Sequence, residues 1–243
     1  KNFLETMPLL KSMHDMHPNH IHEEIELQAM DFSTYLPEWL AYVPEWRDYY
    51  LNHDQINHYK YLKDVLKAMQ FIKGPKKWVL KSPQHLEQIP ALLKTFPDAT
   101  FAITYRDPLS VVLSTATMLS YGDRVRRYTV EPKNNFNYWQ NRIQILLEKF
   151  TNDYKLIPSD QKIDIFFDDL IKDNLNSIKK IYSKNSLSFD NLANSEIREY
   201  MNSNQRGKHG QVIYNLEDFN VDKLEFYQSF KFYFDTFEVL KEF

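Results

Sequence analysis

Cysteine is absent from the 243 residues. That excludes a disulfide framework, Cys-ligated zinc and a thiol nucleophile in this chain. Glycine is scarce: the four are Gly74, Gly122, Gly207 and Gly210, where average usage of about 7% gives roughly 17. Neither G-x-G-x-x-G nor G-x-x-x-x-G-K-[ST] can be written from these positions. A self-contained Rossmann or Walker-A phosphate loop is therefore excluded from these residues. No apolar run reaches the roughly 18 residues of a membrane helix. Charge of one sign does not dominate either. There are 30 basic and 33 acidic residues, net -3, which is no whole-chain footprint for nucleic acid. No N-x-[ST] sequon occurs, and Lys1-Asn2-Phe3 does not open a signal peptide. The expectation is a cytoplasmic protein whose sequence, starting without Met, has been trimmed or lies inside a longer one.

What is present suits one α/β domain. With 43% hydrophobic residues, the chain can bury a sizeable core. Residues 1–75 read as a helical region, interrupted at Pro18, and residues 76–243 as an α/β core with a C-terminal segment. Leu36-Pro37-Glu38-Trp39 and Val43-Pro44-Glu45-Trp46 repeat at a spacing of seven. Their prolines favour turns and new helix starts. A long helix is expected over Tyr49–Ile72, with Tyr59, Leu62, Leu66 and Met69 as its apolar stripe. Gly74-Pro75 ends it. Three short β-prone runs follow, at Lys77–Lys81, Thr100–Tyr105 and Lys162–Phe167, with helices between them. Strands separated by helices argue for a parallel sheet. Further helices are expected over His85–Lys94, Leu109–Leu119, Asn135–Tyr154, Asn174–Lys184 and about Asp222–Phe237.

Three places carry candidate chemistry. In Tyr105-Arg106-Asp107-Pro108 a buried strand ends and a helix begins. Asp107 can N-cap, and Pro108 fits the first helical position. The helix N-terminus suits a phosphate, Arg106 adds a bidentate fork, and Ser114 lies two turns on along the same face. A cap with a surface ion pair is the alternative. In Lys81-Ser82-Pro83-Gln84-His85, Lys81 sits at a strand end, where open α/β sheets bind ligands. It could neutralise a developing anion, and His85 could serve as a general base. A capping or core histidine is the alternative. In Arg206-Gly207-Lys208-His209-Gly210 the glycines let backbone close on an anion, with Arg206 and Lys208 supplying charge. A basic surface turn is the alternative.

These places coincide with the pattern of one family. The chain resembles the PAPS-dependent sulfotransferases, particularly their bacterial-type branch; PAPS is 3′-phosphoadenosine 5′-phosphosulfate. His17-Pro18 followed by Glu23-Glu24 is similar to that branch's H-P…E-E segment. Trp78-Val79-Leu80-Lys81-Ser82-Pro83 with His85-Leu86 is similar to its W-V-L-K-S-P-x-H-L strand. Phe96-Pro97-Asp98-Ala99, then Arg106-Asp107-Pro108, follows F-P-D-A…R-D-P. Phe167-Asp168-Asp169-Leu170 resembles Y-E-D-L. Gly207-Lys208-His209-Gly210 and Tyr214–Phe219 resemble G-K-H-G…Y-x-L-E-D-F.

The resemblance implies a P-loop-NTPase-like parallel sheet flanked by helices. It also implies transfer of a sulfuryl group from PAPS to a hydroxyl or amine of a small-molecule, saccharide or peptide acceptor, leaving 3′,5′-diphosphoadenosine. Arg106 and Ser114 would hold the 3′-phosphate. Lys208 and the backbone of Gly207 and Gly210, beside Arg206, would close over the nucleotide. Lys81 would stabilise charge on the sulfuryl group, with His85 as base and Glu23 or Glu24 behind it. One departure stands out. The family's P-x-[KR]-[ST]-G-[ST]-T loop, which binds the 5′-phosphosulfate, does not occur in these residues. The first βα unit, about 30 residues, is thus expected to be missing. Weak PAPS binding and little turnover follow for these residues alone. A non-catalytic binding or scaffold protein on the same fold is the rival reading, and a P-loop kinase a distant third. His14, His17, His20 and His22 beside Glu23 and Glu24 invite a metal. Pro18 disrupts the spacing, and no H-E-x-x-H occurs, so none is expected. The sequence leaves homo-oligomerisation open.

Overall fold

The computed structural model describes residues 5–14, 21–205, 207–210 and 212–243. They fall into two units. The first comprises the described residues among 1–20 together with 100–145 and 158–243; the second comprises 21–99 and 146–157.

The first unit is built on a two-stranded parallel sheet. Strand β1 (Phe101–Tyr105) pairs with β2 (Lys162–Phe166), Phe101 opposite Lys162 and Tyr105 opposite Phe166. Ile103 and Tyr105 are buried, whereas the alternating Ala102 and Thr104 are exposed. Only one face of β1 is therefore covered among the described residues. The Tyr105 ring stacks on Phe166 at 4.9 Å and meets Phe237 at 4.9 Å. Its hydroxyl donates to Asp164 Oδ1 at 2.7 Å.

The helices of this unit start where the sequence provides caps. Between a short helix α1 (Leu10–Met13) and the end of the chain, the longest helix lying wholly in this unit is Pro108–Asp123. Asp107 Oδ1 accepts from Leu109 N–H at 2.9 Å and opens it, with Pro108 at the first position. Its Leu109, Val112, Leu113 and Ala116 are fully buried. Asp173, Asp190 and Asp222 likewise accept from backbone N–H groups at the starts of Asn174–Lys184, Asn191–Ser203 and Lys223–Ser229. The helix at Asn191–Ser203 lies in a polar, Asn-rich stretch; Ala193, Ile197 and Met201 share one face, but none of its residues is fully buried. The helix expected over Asp222–Phe237 is two, Lys223–Ser229 and Lys231–Thr236. Around them Phe226 and Phe230 stack at 4.7 Å, and Phe136 meets Phe219 at 5.6 Å.

The second unit is helical. In chain order its helices are α2 (Ile25–Ala29), α3 (Leu36–Leu40), α4 (Pro44–Asn52), α5 (Ile56–Lys73) and α6 (Ile89–Thr95). Continuing the numbering through both units, α7 is Pro108–Asp123, α8 is Pro132–Asp153, and α9 is Phe167–Lys172. The remaining helices are α10 (Asn174–Lys184), α11 (Asn191–Ser203), α12 (Lys223–Ser229) and α13 (Lys231–Thr236). Prolines stand in the first turns of α3 and α4, as expected of new helix starts. The single helix expected over Tyr49–Ile72 is broken. His53 is extended (φ -99°, ψ 136°), and the Asp54 carboxylate accepts from Ile56 N–H at 3.0 Å, restarting the helix as α5. Tyr59, Leu62 and Leu66 form the buried stripe of α5. It stops at Gly74, whose φ of +83° only glycine adopts readily.

The strand expected at Lys77–Lys81 does not form. The segment is extended, but it has no ladder partner among the described residues. Side chains satisfy its flanks instead: Gln70 Nε2 donates to Lys76 O at 2.9 Å, and Lys81 N–H donates to Glu24 Oε2 at 2.8 Å. Val79 points to solvent at 93% exposure, where a buried parallel strand would cover it. The helix expected from His85 is a 3₁₀ turn, Pro83–Glu87, followed by α6, which restarts with Pro90 in its first turn. No described helix is long and apolar enough to cross a membrane.

Leu113 is fully buried on α7. Leu113→Ala should lower unfolding free energy by about 2–5 kcal/mol, the usual range for a buried leucine. Urea denaturation measures this; a loss below about 0.5 kcal/mol, the scale of surface changes, would show that α7 is not the core helix described.

Candidate active site

In the second unit, residues far apart in sequence meet at the turn after Lys81. The chain at Glu23–Glu24 leads into α2, and the 3₁₀ turn Pro83–Glu87 brings His85 back towards it. Glu24 is buried. Its Oε1 accepts from His85 Nε2, and its Oε2 accepts from Lys81 N–H at 2.8 Å. His85 Nδ1 meets the Tyr59 hydroxyl at 2.7 Å. With His85 Nε2 donating to the Glu24 carboxylate, Nδ1 is the ring nitrogen that meets Tyr59. Both ring nitrogens are thus engaged. Burial raises the Tyr59 phenol well above its ordinary value, so it stays a neutral donor.

Burial alone would raise the Glu24 carboxyl. Donation from His85, the charge of that ring and backbone donors, Lys81 N–H among them, outweigh it, so the carboxyl lies below its ordinary value of 4.5. Glu23, the neighbouring carboxylate, is more accessible. It pairs with the Lys81 ammonium, whose side chain is mostly exposed. Beneath this cluster Gln84 Nε2 donates to Gln28 Oε1 at 2.7 Å, and Gln84 Oε1 accepts from Thr34 Oγ1 at 2.8 Å. The four residues read as candidates here, Glu23, Glu24, Lys81 and His85, are therefore brought together. Tyr59 was missed, because at its position in the apolar stripe of α5 it reads only as core.

The Trp-bearing segments belong to the same unit. Trp46 Nε1 donates to Thr34 O at 2.8 Å, and Trp39 packs edge-on to Tyr35 at 6.1 Å. His22 pairs with Glu26 at 3.1 Å, while His17, Pro18 and His20 lie outside the described residues.

In the first unit, the second cluster forms where β1 runs into α7. Arg106 leaves the strand end and spreads its guanidinium over the Phe167 ring at 4.1 Å. Its Nε and Nη2 donate to Glu242 Oε1 and Oε2 at 2.8 and 2.9 Å. That pairing raises the Arg106 pKa further. Asp107 is buried. Besides Leu109 N–H it accepts from Tyr227 O–H at 2.8 Å and Glu242 N–H at 2.7 Å, both on Oδ2. Burial and the Asp107 carboxylate push the Tyr227 phenol up. The Asp107 carboxylate therefore already fills the anion position at this helix N-terminus. Ser114 Oγ accepts from Tyr214 O–H at 3.2 Å, which leaves its own proton to donate.

Further along, Gly207 and Gly210 have φ of +81° and +102°, values that favour glycine. Gly210 N–H donates back to Gly207 O at 2.9 Å, and Lys208 N–H donates to Gln205 O at 3.0 Å. Those two donors are spent inside the turn, and Lys208 is exposed. Arg206 lies outside the described residues.

The sulfotransferase family model matches residues 3–191. The chain belongs to the sulfotransferase family. No curated protein sequence matches it. Among solved structures, sulfotransferase STF9 from Mycobacterium avium is similar in fold, with a TM-score of 0.84 at 19% identity over 97% of this chain and 60% of that one. Sulfotransferase STF1 from Mycobacterium tuberculosis H37Rv gives a TM-score of 0.72 at 22% identity, over 94% of this chain and 61% of that one. This sulfotransferase-family chain thus spans about three fifths of the length of those two structures. The family and fold expected from the motifs are correct.

The buried Glu24 tie should show in the pH dependence of stability. A carboxyl with a lowered native pKa adds stability above its unfolded value and loses it as pH falls through the native one. Glu24→Gln should lower the urea midpoint at pH 7, with the gap to wild type narrowing below about pH 4.5. A gap that stays constant from pH 7 to pH 3 would refute the ionised tie.

Proposed function

We propose that the protein transfers a sulfuryl group from PAPS to a hydroxyl or amine of an acceptor. PAPS supplies the activated group: its S–O bond to the 5′-phosphate breaks, an acceptor O–S or N–S bond forms, and 3′,5′-diphosphoadenosine departs. The observation that carries the donor assignment is Arg106, whose fork at the end of β1 already binds an oxyanion through two nitrogens. Such forks suit phosphate as they suit carboxylate. Ser114, with a proton to donate, is the second group for the 3′-phosphate.

The residues present fit that end of the donor. They do not include the P-x-[KR]-[ST]-G-[ST]-T loop, so no step at the 5′ end is assigned to them. Gly207, Lys208, Gly210 and Arg206 remain the segment proposed to cover the nucleotide, with Lys208 supplying charge through its side chain.

The acceptor's proton must pass to a base within hydrogen-bond reach. His85, fully engaged by Glu24 and Tyr59, is better suited to positioning than to taking that proton. Glu23 is the accessible carboxylate beside Lys81, and it is the base in this reading. Glu24 holds the Lys81 backbone and, through His85, the turn that follows. Lys81, the cation beside Glu23, is the group for stabilising charge on the sulfuryl group in transfer.

Calorimetric titration with 3′,5′-diphosphoadenosine tests the donor assignment. Wild type should bind weakly, and Arg106→Ala should abolish binding with an unchanged circular dichroism spectrum. Equal affinity in the two proteins would sink the assignment.

A further inference from the structure

The chain beyond α13 returns to the end of β1, and Glu242 lands on the Arg106 fork. Both Glu242 carboxylate oxygens are used, one on each of two guanidinium nitrogens. This is not a loose surface pair. Glu242 N–H is held by Asp107 Oδ2 at 2.7 Å, and Phe243 O lies 3.4 Å from the Tyr227 hydroxyl, whose proton goes to Asp107. The Lys241 ammonium sits over the Tyr227 ring at 4.4 Å and the Phe234 ring at 5.4 Å. Backbone and side chain on both sides of Glu242 therefore fix its position.

We propose that Glu242 is a built-in occupant of the Arg106 fork, and that it determines which anions the site admits. The inference rests on the reading of Arg106 as an anion site, and adds to it a specificity residue. An incoming anion must displace a singly charged carboxylate already in bidentate geometry. A phosphate monoester carries a charge of about -1.5 to -2 at pH 7 and three acceptor oxygens. It gains more from the guanidinium than Glu242 does. A singly charged anion such as a carboxylate gains nothing over Glu242, and it lacks the tether. Lys241, Glu242 and Phe243 lie in the non-helical stretch after α13. Exchange is then a displacement of this stretch from the end of β1. Asp107, left behind, keeps its bonds to Leu109 N–H and Tyr227 O–H.

The test compares wild type, Glu242→Gln, Arg106→Ala and the double variant, each with matched circular dichroism and urea midpoints. The probes are 3′,5′-diphosphoadenosine, inorganic phosphate and acetate, titrated by calorimetry and thermal shift. Glu242→Gln should bind 3′,5′-diphosphoadenosine at least tenfold more tightly than wild type. It should also acquire stabilisation by acetate that wild type lacks, and the double variant should lose both gains. A nucleotide gain without a phosphate gain would identify the nucleotide's 3′-phosphate, rather than free phosphate, as the occupant that replaces Glu242. Should Glu242→Gln keep unvarying structure yet cost rather than improve anion affinity, Glu242→Ala separates a lost tether from a lost competitor; weaker binding in both overturns the proposal. Equal affinity of wild type and Glu242→Gln, with Arg106→Ala losing binding, also overturns it and leaves the Arg106 reading standing. If Arg106→Ala binds as wild type does, or no variant binds any probe, both fall together.

Discussion

One buried carboxylate organises the first unit. Asp107 sits between β1 and α7, and its two oxygens accept from Leu109 N–H, Tyr227 O–H and Glu242 N–H. A buried carboxylate without such donors would be costly, because its desolvation would have no compensation. The three donors come from three parts of the chain: the helix it starts, α12 and the segment after α13. Strand end, helix start and returning chain are thereby fastened at one point. Arg106, next to it in sequence, is aimed by that arrangement.

The second unit repeats the device with different partners. Glu24 is buried, and it accepts from the Lys81 backbone and the His85 ring, which in turn meets Tyr59. In each unit a buried acid is satisfied by neighbours, while the adjacent residue in sequence carries a more accessible charge. Arg106 follows this pattern beside Asp107, and Glu23 beside Glu24. A buried, fully bonded group fixes the backbone, and the neighbour's more accessible side chain holds an exchangeable ion pair, Arg106 with Glu242 and Glu23 with Lys81. The proposed chemistry lies with those neighbours.

The sequence made the local features legible. Asp107-Pro108 reads as a cap, and it is one, because capping needs only residues two apart. The β-prone runs at Thr100–Tyr105 and Lys162–Phe167 read as strands, and Phe101–Tyr105 and Lys162–Phe166 pair in parallel. Lys77–Lys81 reads equally well as a strand, yet whether a β-prone run enters a sheet depends on a partner that local sequence does not contain. The break between α4 and α5 turned on one Asp54 hydrogen bond competing with helix continuation. In the sites, Glu23, Glu24, Lys81 and His85 were found through motif order. Tyr59 was hidden in an apolar stripe. Glu242 lies 136 residues from Arg106, in a segment of mixed apolar and charged residues with no motif of its own.

The stacking of Arg106 on Phe167 has an entropic consequence. An unconstrained arginine has about 2 kcal/mol of rotamer entropy to lose when a ligand fixes it. Here the ring beneath and the carboxylate in front have already fixed the guanidinium plane and fork. A ligand that replaces that carboxylate meets a side chain ordered at folding rather than at binding. Occupancy then becomes a swap of one anion for another on a rigid plate, with the cation's conformation the same before and after.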